Sequence, residues 1–554
     1  MTSRVLSSLR KQDNVSRIHA APTAVLLQGS RHFFDGHVSS CTGLKALLRQ
    51  PRQRVGDGLM AMLVLWLAWL LVSLIAVYFL DLYVHARRGL PPGPRPLPLI
   101  GSLHLLGDQP HRSLARLAKF HGPLMSLRLG AVTTVVISSP DVAREFLQKQ
   151  DAVFANRFVP HAIGDHVKNS VPWLPHSGRW RALRKIMATE LFAPHRLEAL
   201  QHLRRQKVEE LVGHVRLLAL QGRAVDVGSV AFTTSLNLLS RTIFSCDLTN
   251  LDDHTGSAKE FQEVVTEIME VAASPNLSDL FPALACADLQ GLRRRLAKLF
   301  ARLHQVFDVE VDRRLCERDA GDRRKNDFLD LLLDTDGGTA ALDRDSLLSL
   351  FTDLFAAGSD TSSSTVEWAL TELLRNPVPM AKTCDELLAA TGAARNIEES
   401  EIEQLPYLQA VVKETFRLHP PVPLLLPRRA GAATRAMGHT IPKGARVLVN
   451  VWAMGRDGDV WPDPEKFMPE RFLGRPTDFR GGDLELIPFG AGRRICPGMP
   501  LASRMVHLVL ASLLNQFRWR LPAEVERDGT DEMAESFGVT LKKASPLCAI
   551  ATPV

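Results

Sequence analysis

Eleven residues near the C-terminus constrain this chain more than any other stretch: Pro488-Phe489-Gly490-Ala491-Gly492-Arg493-Arg494-Ile495-Cys496-Pro497-Gly498. A single cysteine sits in a tight glycine-rich loop. Two arginines stand just before it, and an apolar run of helical character follows from Met499 to Phe517. Pro497 and Gly498 suit the start of that helix. Cys496 therefore lies at the positive end of a helix dipole with cations nearby, and both effects favour thiolate over thiol. A thiolate in a rigid loop is a good ligand for a soft metal. The alternative is a buried structural cysteine, the usual fate of a lone thiol. Spacing decides against it. Phe489-x-x-Gly492-x-Arg494-x-Cys496-x-Gly498 fixes five residue types, a match that average usage yields by chance in about one of ten thousand chains this long.

The remaining six cysteines, Cys41, Cys246, Cys286, Cys316, Cys384 and Cys548, are scattered without a C-x-x-C pair. That argues against a disulfide framework and a zinc site, and for a reducing compartment. A formal charge of +7 over 554 residues is modest and does not point to nucleic acid. Residues 1–58 are unlike the rest, with nine Lys/Arg against three acids and little apolar periodicity. They fit a transit peptide, a disordered extension, or a stretch upstream of the start codon that is used. Leu59 to Leu80 is 22 residues without a charge. It is long enough to span a bilayer and apolar all round, unlike an ordinary core helix. His85, Arg87 and Arg88 place its C-terminal side in the cytoplasm, whereas Lys45, Arg49, Arg52 and Arg54 oppose them. A start at Met60 or Met62 leaves a plain signal anchor. Residues 81–99 form a basic and proline-rich hinge, whose Leu90-Pro91-Pro92-Gly93-Pro94-Arg95-Pro96-Leu97-Pro98 run cannot be helix or central strand.

Residues 100–554 carry no second linker and no internal repeat. Met125 to Ile137 alternates around Gly130 and predicts a small hairpin. Most of the remainder has helical periodicity, so the region is mainly α with a minor β-sheet. Trp180 and Arg184 are four apart on one amphipathic helix face. Asp345 to Asn376 predicts one long helix, capped by Asp345 or Ser346 and stopped by Pro377. Its middle, Ala356 to Thr365, is poor helix chemistry. It marks a kink or the close approach of something bulky. Leu350, Leu354, Ala357 or Gly358, and Thr361 fall on one stripe there. Glu414 and Arg417 lie three apart on a helix ended by Pro420-Pro421, and Phe467-Met468-Pro469-Glu470-Arg471-Phe472 follows. Between them runs the extended apolar segment Val422 to Arg428.

This ordered set is similar to the cytochrome P-450 family, the haem-thiolate monooxygenases, in particular its plant microsomal branch. The likeness covers about Pro91 to the C-terminus. It implies the P-450 fold behind one transmembrane helix, and haem b with Cys496 as axial iron ligand. A thiolate there favours O–O cleavage. Further haem contacts are implied for Trp180, Arg184, Arg428 (or Arg429), Gly358, Phe489 and Arg494. Asp360 and Thr361 are implied as the catalytic pair that relays protons during oxygen activation. Glu414, Arg417 and Arg471 would interlock behind the cysteine loop. Family position places 158–176, 422–426 and 536–540 around the substrate, with Leu350, Leu354, Ala357, Leu424, Leu425, Phe537 and Val539 as pocket residues. His161, Asp165, His166 and Lys168 are polar exceptions.

The chain has no flavin or nicotinamide fingerprint. The resemblance therefore implies an NADPH-dependent flavoprotein reductase as partner, docking on Arg181, Lys185 and Arg493. It also implies an endoplasmic reticulum membrane with the catalytic domain in the cytosol, or a plastid if residues 1–58 are a transit peptide. The substrate is expected to be small and apolar. Asn156-Arg157-Phe158-Val159-Pro160 and Phe537-Gly538-Val539-Thr540-Leu541 resemble terpenoid hydroxylases of the geraniol-hydroxylase kind, with flavonoids or other phenylpropanoids as the next class. The rivals in kind are a haem-thiolate hydroperoxide isomerase or dehydratase and a haem sensor. An intact Asp360-Thr361 pair argues against the isomerase, which needs no proton relay.

Overall fold

The structure is a computed structural model and describes residues 50–87, 89–251, 256–334, 342–392, 395–523 and 533–554. It divides into one compact unit ending at Gly89 and another running from Leu90 to Val554. In the first, helix α1 spans Gln50–Arg87. Its Met60–Phe79 stretch has a mean hydropathy of 2.6 and none of it is buried, so it is long and apolar enough to cross a membrane. The helix continues past Leu80 to Arg87, so the segment expected as the basic part of the hinge is largely helical. Of the N-terminal extension, residues 1–49 lie outside the described residues.

The second unit is mainly helical. The helices that matter for the site are α2 (Pro110–His121), α3 (Gly178–Ile186), α4 (Val227–Phe244), α5 (Ser257–Ala273), α6 (Leu292–Asp319), α7 (Arg344–Arg375), α8 (Pro406–Leu418) and α9 (Met499–Gln516). A five-stranded sheet combines β1 (Leu124–Leu129), β2 (Val132–Ile137), β3 (Asn156–Arg157), β4 (Arg428–Arg429) and β5 (Arg446–Val449) in the order β1-β2-β5-β4-β3. The expected hairpin pairs Leu124 with Ile137 and Leu129 with Val132 across Gly130, whose φ of 60° turns the chain. A late two-stranded hairpin joins β6 (Glu535–Ser536) to β7 (Lys542–Lys543).

The proline-rich run is seated on this unit. Prolines have no N–H to donate, so they contribute acceptors. Pro92 O accepts from Ser126 N–H at 2.8 Å and Pro91 O from Ser126 Oγ at 2.6 Å. A Cβ on Gly93 would lie 1.8 Å from Ser126 O, so only glycine permits this approach to β1.

Helix α7 is the axis of the unit. Its 32 residues rise through about 48 Å. Twenty-four of them are buried, as in a helix enclosed on most sides. It begins at Arg344, one residue before the expected start, because Asp343 supplies the cap and accepts from Ser346 N–H at 3.0 Å. Pro377 then opens the next helix. Phe351 and Phe355 of α7 pack on Phe244 of α4 and Phe307 of α6, with ring centroids 4.9 to 6.1 Å apart. The hydroxyl-rich middle does not break the helix. Thr361 Oγ1 donates to Ala357 O at 2.7 Å and Thr365 Oγ1 to Thr361 O at 2.8 Å, so these side chains bond back onto their own helix.

Glu367, further along α7, is buried and accepts from Leu547 N–H at 2.8 Å. Burial pushes its carboxyl from 4.5 up to about 7. A folded-state value above the unfolded one means stability that is intact below about pH 4.5 and lost progressively as pH rises to about 7. Glu367→Gln keeps the acceptor and removes the ionisation. It should stabilise the folded unit by about 2–3 kcal/mol at pH 8 and by less than about 1 kcal/mol at pH 5. Chemical denaturation at the two pH values checks this, and an equal gain at both would contradict it.

Candidate active site

The Pro488–Gly498 loop is closed by its own backbone. Cys496 N–H donates to Phe489 O at 3.0 Å and Gly490 N–H to Ile487 O at 2.9 Å. Gly492 needs to be glycine on two counts: its φ is 67°, and a Cβ there would lie 2.0 Å from Leu147 O. Phe489 meets the ring of Phe416 edge-on at 5.3 Å. That contact joins the loop to α8, where Glu414, Arg417 and Arg471 come together. Arg417 Nε and Nη2 donate to Glu414 at 2.7 and 2.8 Å, and Arg471 Nε donates to Glu414 Oε1 at 3.0 Å. Arg417 also donates to the carbonyls of Gly455, Pro464 and Lys466.

The electrostatics at Cys496 run against the thiolate expectation. Burial pushes the thiol up. The N–H groups of Gly498 and Met499 at the start of α9, together with Arg184, pull it down but do not prevail. The two arginines adjacent in sequence turn elsewhere. Arg493 donates to Asp151 at 3.2 Å, and Arg494 donates to Ala155 O and Leu174 O at 2.7 and 2.5 Å. A coordinated metal cation supplies what the protein alone lacks, since it deprotonates a ligating thiol outright.

Cys496 lines a cavity of about 280 Å³. Trp180, Arg184, Phe489, Arg494 and Arg428 share that lining, as do Leu354, Ala357, Gly358 and Thr361 of α7. Four arginines line it in all, because Arg157 joins Arg184, Arg428 and Arg494. The sheet explains two of them: β3 and β4 set Arg157 directly opposite Arg428. Like charges so paired are destabilising unless something compensates. The hydrogen bonds of Arg157, Arg428 and Arg494 go to backbone carbonyls, those of Pro172 and Leu426 for Arg157 and Ala491 for Arg428. Arg428 Nη1 is buried with no hydrogen-bond partner among the described residues. Burial, then Arg428 and Arg184, pushes Arg494 down to about 10, and burial does the same to Arg428. Arg184 and Arg494 stand over the Trp180 ring at 5.6 and 4.2 Å. A soft sulfur ligand, apolar walls and a cluster of buried cations fit a flat apolar macrocycle that carries a metal and anionic groups.

The cytochrome P450 family model matches residues 91–547. The chain is a member of the cytochrome P450 family. Among relatives of this P450, geraniol 8-hydroxylase of Catharanthus roseus is 51% identical over 491 residues, 88% of this chain and 99% of that protein. 7-Ethoxycoumarin O-deethylase of Helianthus tuberosus is 48% identical over 88% of this chain and 98% of its own length. A solved zebrafish cytochrome P450 structure with progesterone is similar with a TM-score of 0.67 at 27% identity, over 80% of this chain and 99% of that one. This P450 is thus a monooxygenase, and its family implies haem with thiolate ligation, apolar substrates and a redox partner.

Several expected site residues of the P450 lie outside the cavity lining. Leu350 is fully buried in the core around α7. Leu424 packs with Leu127 and Leu448 beneath the sheet, while Leu425 and Leu426 reach the cavity. Adjacent side chains of an extended strand point apart. Leu425 has φ 48°, and this break in extended geometry lets both neighbours face one way. Phe537 stacks on His111 at 5.4 Å, whereas Val539 lines the cavity. Asp360 has no exposed surface, lies off the lining, and ion-pairs with Lys542. In the 158–176 stretch only Val171 and Pro172 reach the cavity. His166 and Ser170 instead donate to Asp353 at 3.2 and 2.8 Å. The gap at Gly358 also has a packing cause, since a Cβ there would lie 2.7 Å from Leu239 Cδ1 of α4. Sequence reasoning missed Arg157 as a cavity cation, and with it Leu238, Leu239, Met269 and Phe192 in the walls.

Proposed function

We propose that this P450 is membrane-anchored through α1 and hydroxylates a small terpenoid alcohol of the geraniol kind. Its electrons come from an NADPH-dependent flavoprotein reductase, and its catalytic unit lies on the cytosolic face of the endoplasmic reticulum. The observation that carries this reading is an apolar cavity over Cys496 in a chain half identical to geraniol 8-hydroxylase along nearly all of that enzyme. Bound with Cys496 as its ligand, haem supplies O2 activation and insertion of one oxygen atom into a C–H bond. Trp180, Arg157, Arg184, Arg428 and Arg494 hold its anionic groups. Leu354, Ala357, Leu425 and Val539 orient the substrate and exclude water. Thr361 presents the hydroxyl that steadies a proton at the cavity, whereas Asp360, expected as its acidic partner, is buried off the cavity and paired with Lys542, so the relay role falls to Thr361. Exposed Arg181, Lys185 and Arg493 offer the reductase a basic face. The likeness to 7-ethoxycoumarin O-deethylase favours an aromatic phenylpropanoid-like substrate as the second reading.

The test is turnover of terpenoid alcohols and coumarins with NADPH and reductase, read by mass spectrometry. Product from geraniol supports the first class, and product from coumarins alone moves the assignment to the second. In the same assay Thr361→Ala should lower the ratio of product to NADPH consumed about tenfold, less than the roughly hundredfold or more for loss of a full general acid, because the hydroxyl steadies the proton and does not supply it. Peroxide release should rise while haem content holds. An unchanged ratio removes Thr361 from the chemistry, and turnover that needs neither NADPH nor O2 points to the isomerase class.

A further inference from the structure

We infer that Lys542 is a positioning residue that sets the register of the substrate-facing hairpin tip against α7 and α5. The tip between β6 and β7 carries Val539 and Thr540 into the cavity wall. Its backbone is tied to the surrounding elements, with Val539 N–H donating to Met269 O of α5 at 3.0 Å and Leu541 N–H to Pro421 O at 2.8 Å. Ser364 Oγ of α7 donates to Leu541 O at 3.1 Å. At the base, the buried Glu535 carboxylate accepts from His111, Arg112 and Trp452. Lys542, on the opposite strand, joins all three elements at one atom. Its Nζ donates to Thr266 Oγ1 of α5 at 2.8 Å and ion-pairs with Asp360 Oδ1 of α7.

Asp360 is fully buried, and its Oδ2 has no hydrogen-bond donor among the described residues. A buried carboxylate in that state depends on its one counter-charge. Apolar contacts tolerate small slides, but a charge pair of this kind breaks if the hairpin moves by a few ångströms. Lys542 therefore fixes where Val539 sits relative to Thr361, the residue after Asp360, and relative to Met269, which lines the same cavity. The shape of the cavity at that wall, and so the carbon presented for oxidation, depends on a side chain that does not itself line it. This rests on the proposed function only for the choice of test substrate.

The experiment compares Lys542→Met, Lys542→Arg and Thr266→Val in the full-length enzyme. Amide hydrogen exchange without substrate is expected to lose about tenfold protection at Val539 and Leu541 in Lys542→Met, and less in Thr266→Val, which removes one leg of the strut. With geraniol, Lys542→Met should raise KM about fivefold and broaden the distribution of hydroxylated positions, with kcat changing less than twofold. Lys542→Arg should restore the single-product pattern. Unchanged protection and product distribution in Lys542→Met overturn the inference. So does a fall in kcat alone with KM and regiochemistry kept. If Lys542→Met does not fold, the decision passes to Thr266→Val, where protection and product distribution both at wild-type level overturn it. Wild-type enzyme that fails to oxidise geraniol bears on the proposed function alone, because the exchange arm is read without substrate.

Discussion

Replacing Cys496 by alanine should abolish the thiolate-type spectrum of the reduced carbon-monoxide complex and reduce monooxygenase turnover to background, while the protein still folds. The loop keeps its shape without the sulfur. The Cys496 N–H bond to Phe489 O is a backbone bond, the turns at Gly490 and Gly492 are glycine geometry, and Phe489 stays clamped against Phe416. Alanine removes only the sulfur atom, which costs about 1–2 kcal/mol, within the range of an ordinary core substitution. The loss of function is therefore a ligand effect, and circular dichroism beside the carbon-monoxide spectrum separates it from unfolding. The other described cysteines are absent from the cavity lining. A Cys496→Ala protein that retained the thiolate spectrum would mean that the sulfur ligand comes from somewhere the geometry does not place one.

What the sequence could disclose divides along a physical line. Local rules were legible. Glycine at 492, proline at 377 and the apolar run at 60–79 each act through their own backbone or composition, and the structure shows a positive φ, a helix boundary and a helix long enough to cross a membrane at those points. Family spacing added the rest of the linear pattern and brought Trp180, Arg184, Arg428, Arg494 and Cys496 into one cavity. Beyond the Glu414–Arg417–Arg471 cluster that the family pattern implied, three-dimensional pairings were not legible. Arg157 has no role that its sequence neighbours disclose, because only the β3–β4 register sets it opposite Arg428. Asp360 was adjacent to Thr361 in sequence, yet successive helix positions diverge by about 100°, so one faces Lys542 and the other the cavity. The helical stripe that includes Leu350 was correct as geometry, but the cavity ends before reaching it and the core takes over. The forces on the Cys496 thiol divide along the same line. A dipole and two neighbouring arginines are sequence features, whereas burial and the directions those arginines take belong to the fold.

Arg417→Ala should have a comparably large effect by a different route, since it removes the fold around the loop and leaves the ligand in place. Arg417 and Glu414 are both fully buried, and the guanidinium satisfies Glu414 and three carbonyls at once. Alanine leaves a buried carboxylate with Arg471 and the N–H of Met468 as partners, and strands the carbonyls of Gly455 and Pro464. Breaking a buried pair from one side costs about 3–5 kcal/mol, and each stranded carbonyl adds to that. Phe416, the preceding residue in the chain, carries the contact to Phe489, so the disturbance reaches the cysteine loop directly. The expected result is a large fall in soluble, haem-containing protein. Arg417→Lys should rescue little, because one ammonium cannot reproduce a planar fork that serves four partners. Arg471→Ala should be milder, since Glu414 keeps both of its bonds to Arg417. The measurement is the haem absorbance per unit of soluble protein for the three variants and wild type, with denaturant midpoints for whatever folds. An Arg417→Ala protein with wild-type haem content and midpoint would show that the loop stands without this cluster. Equal losses in Arg417→Ala and Arg471→Ala would shift the critical contact from the pair to Glu414 alone.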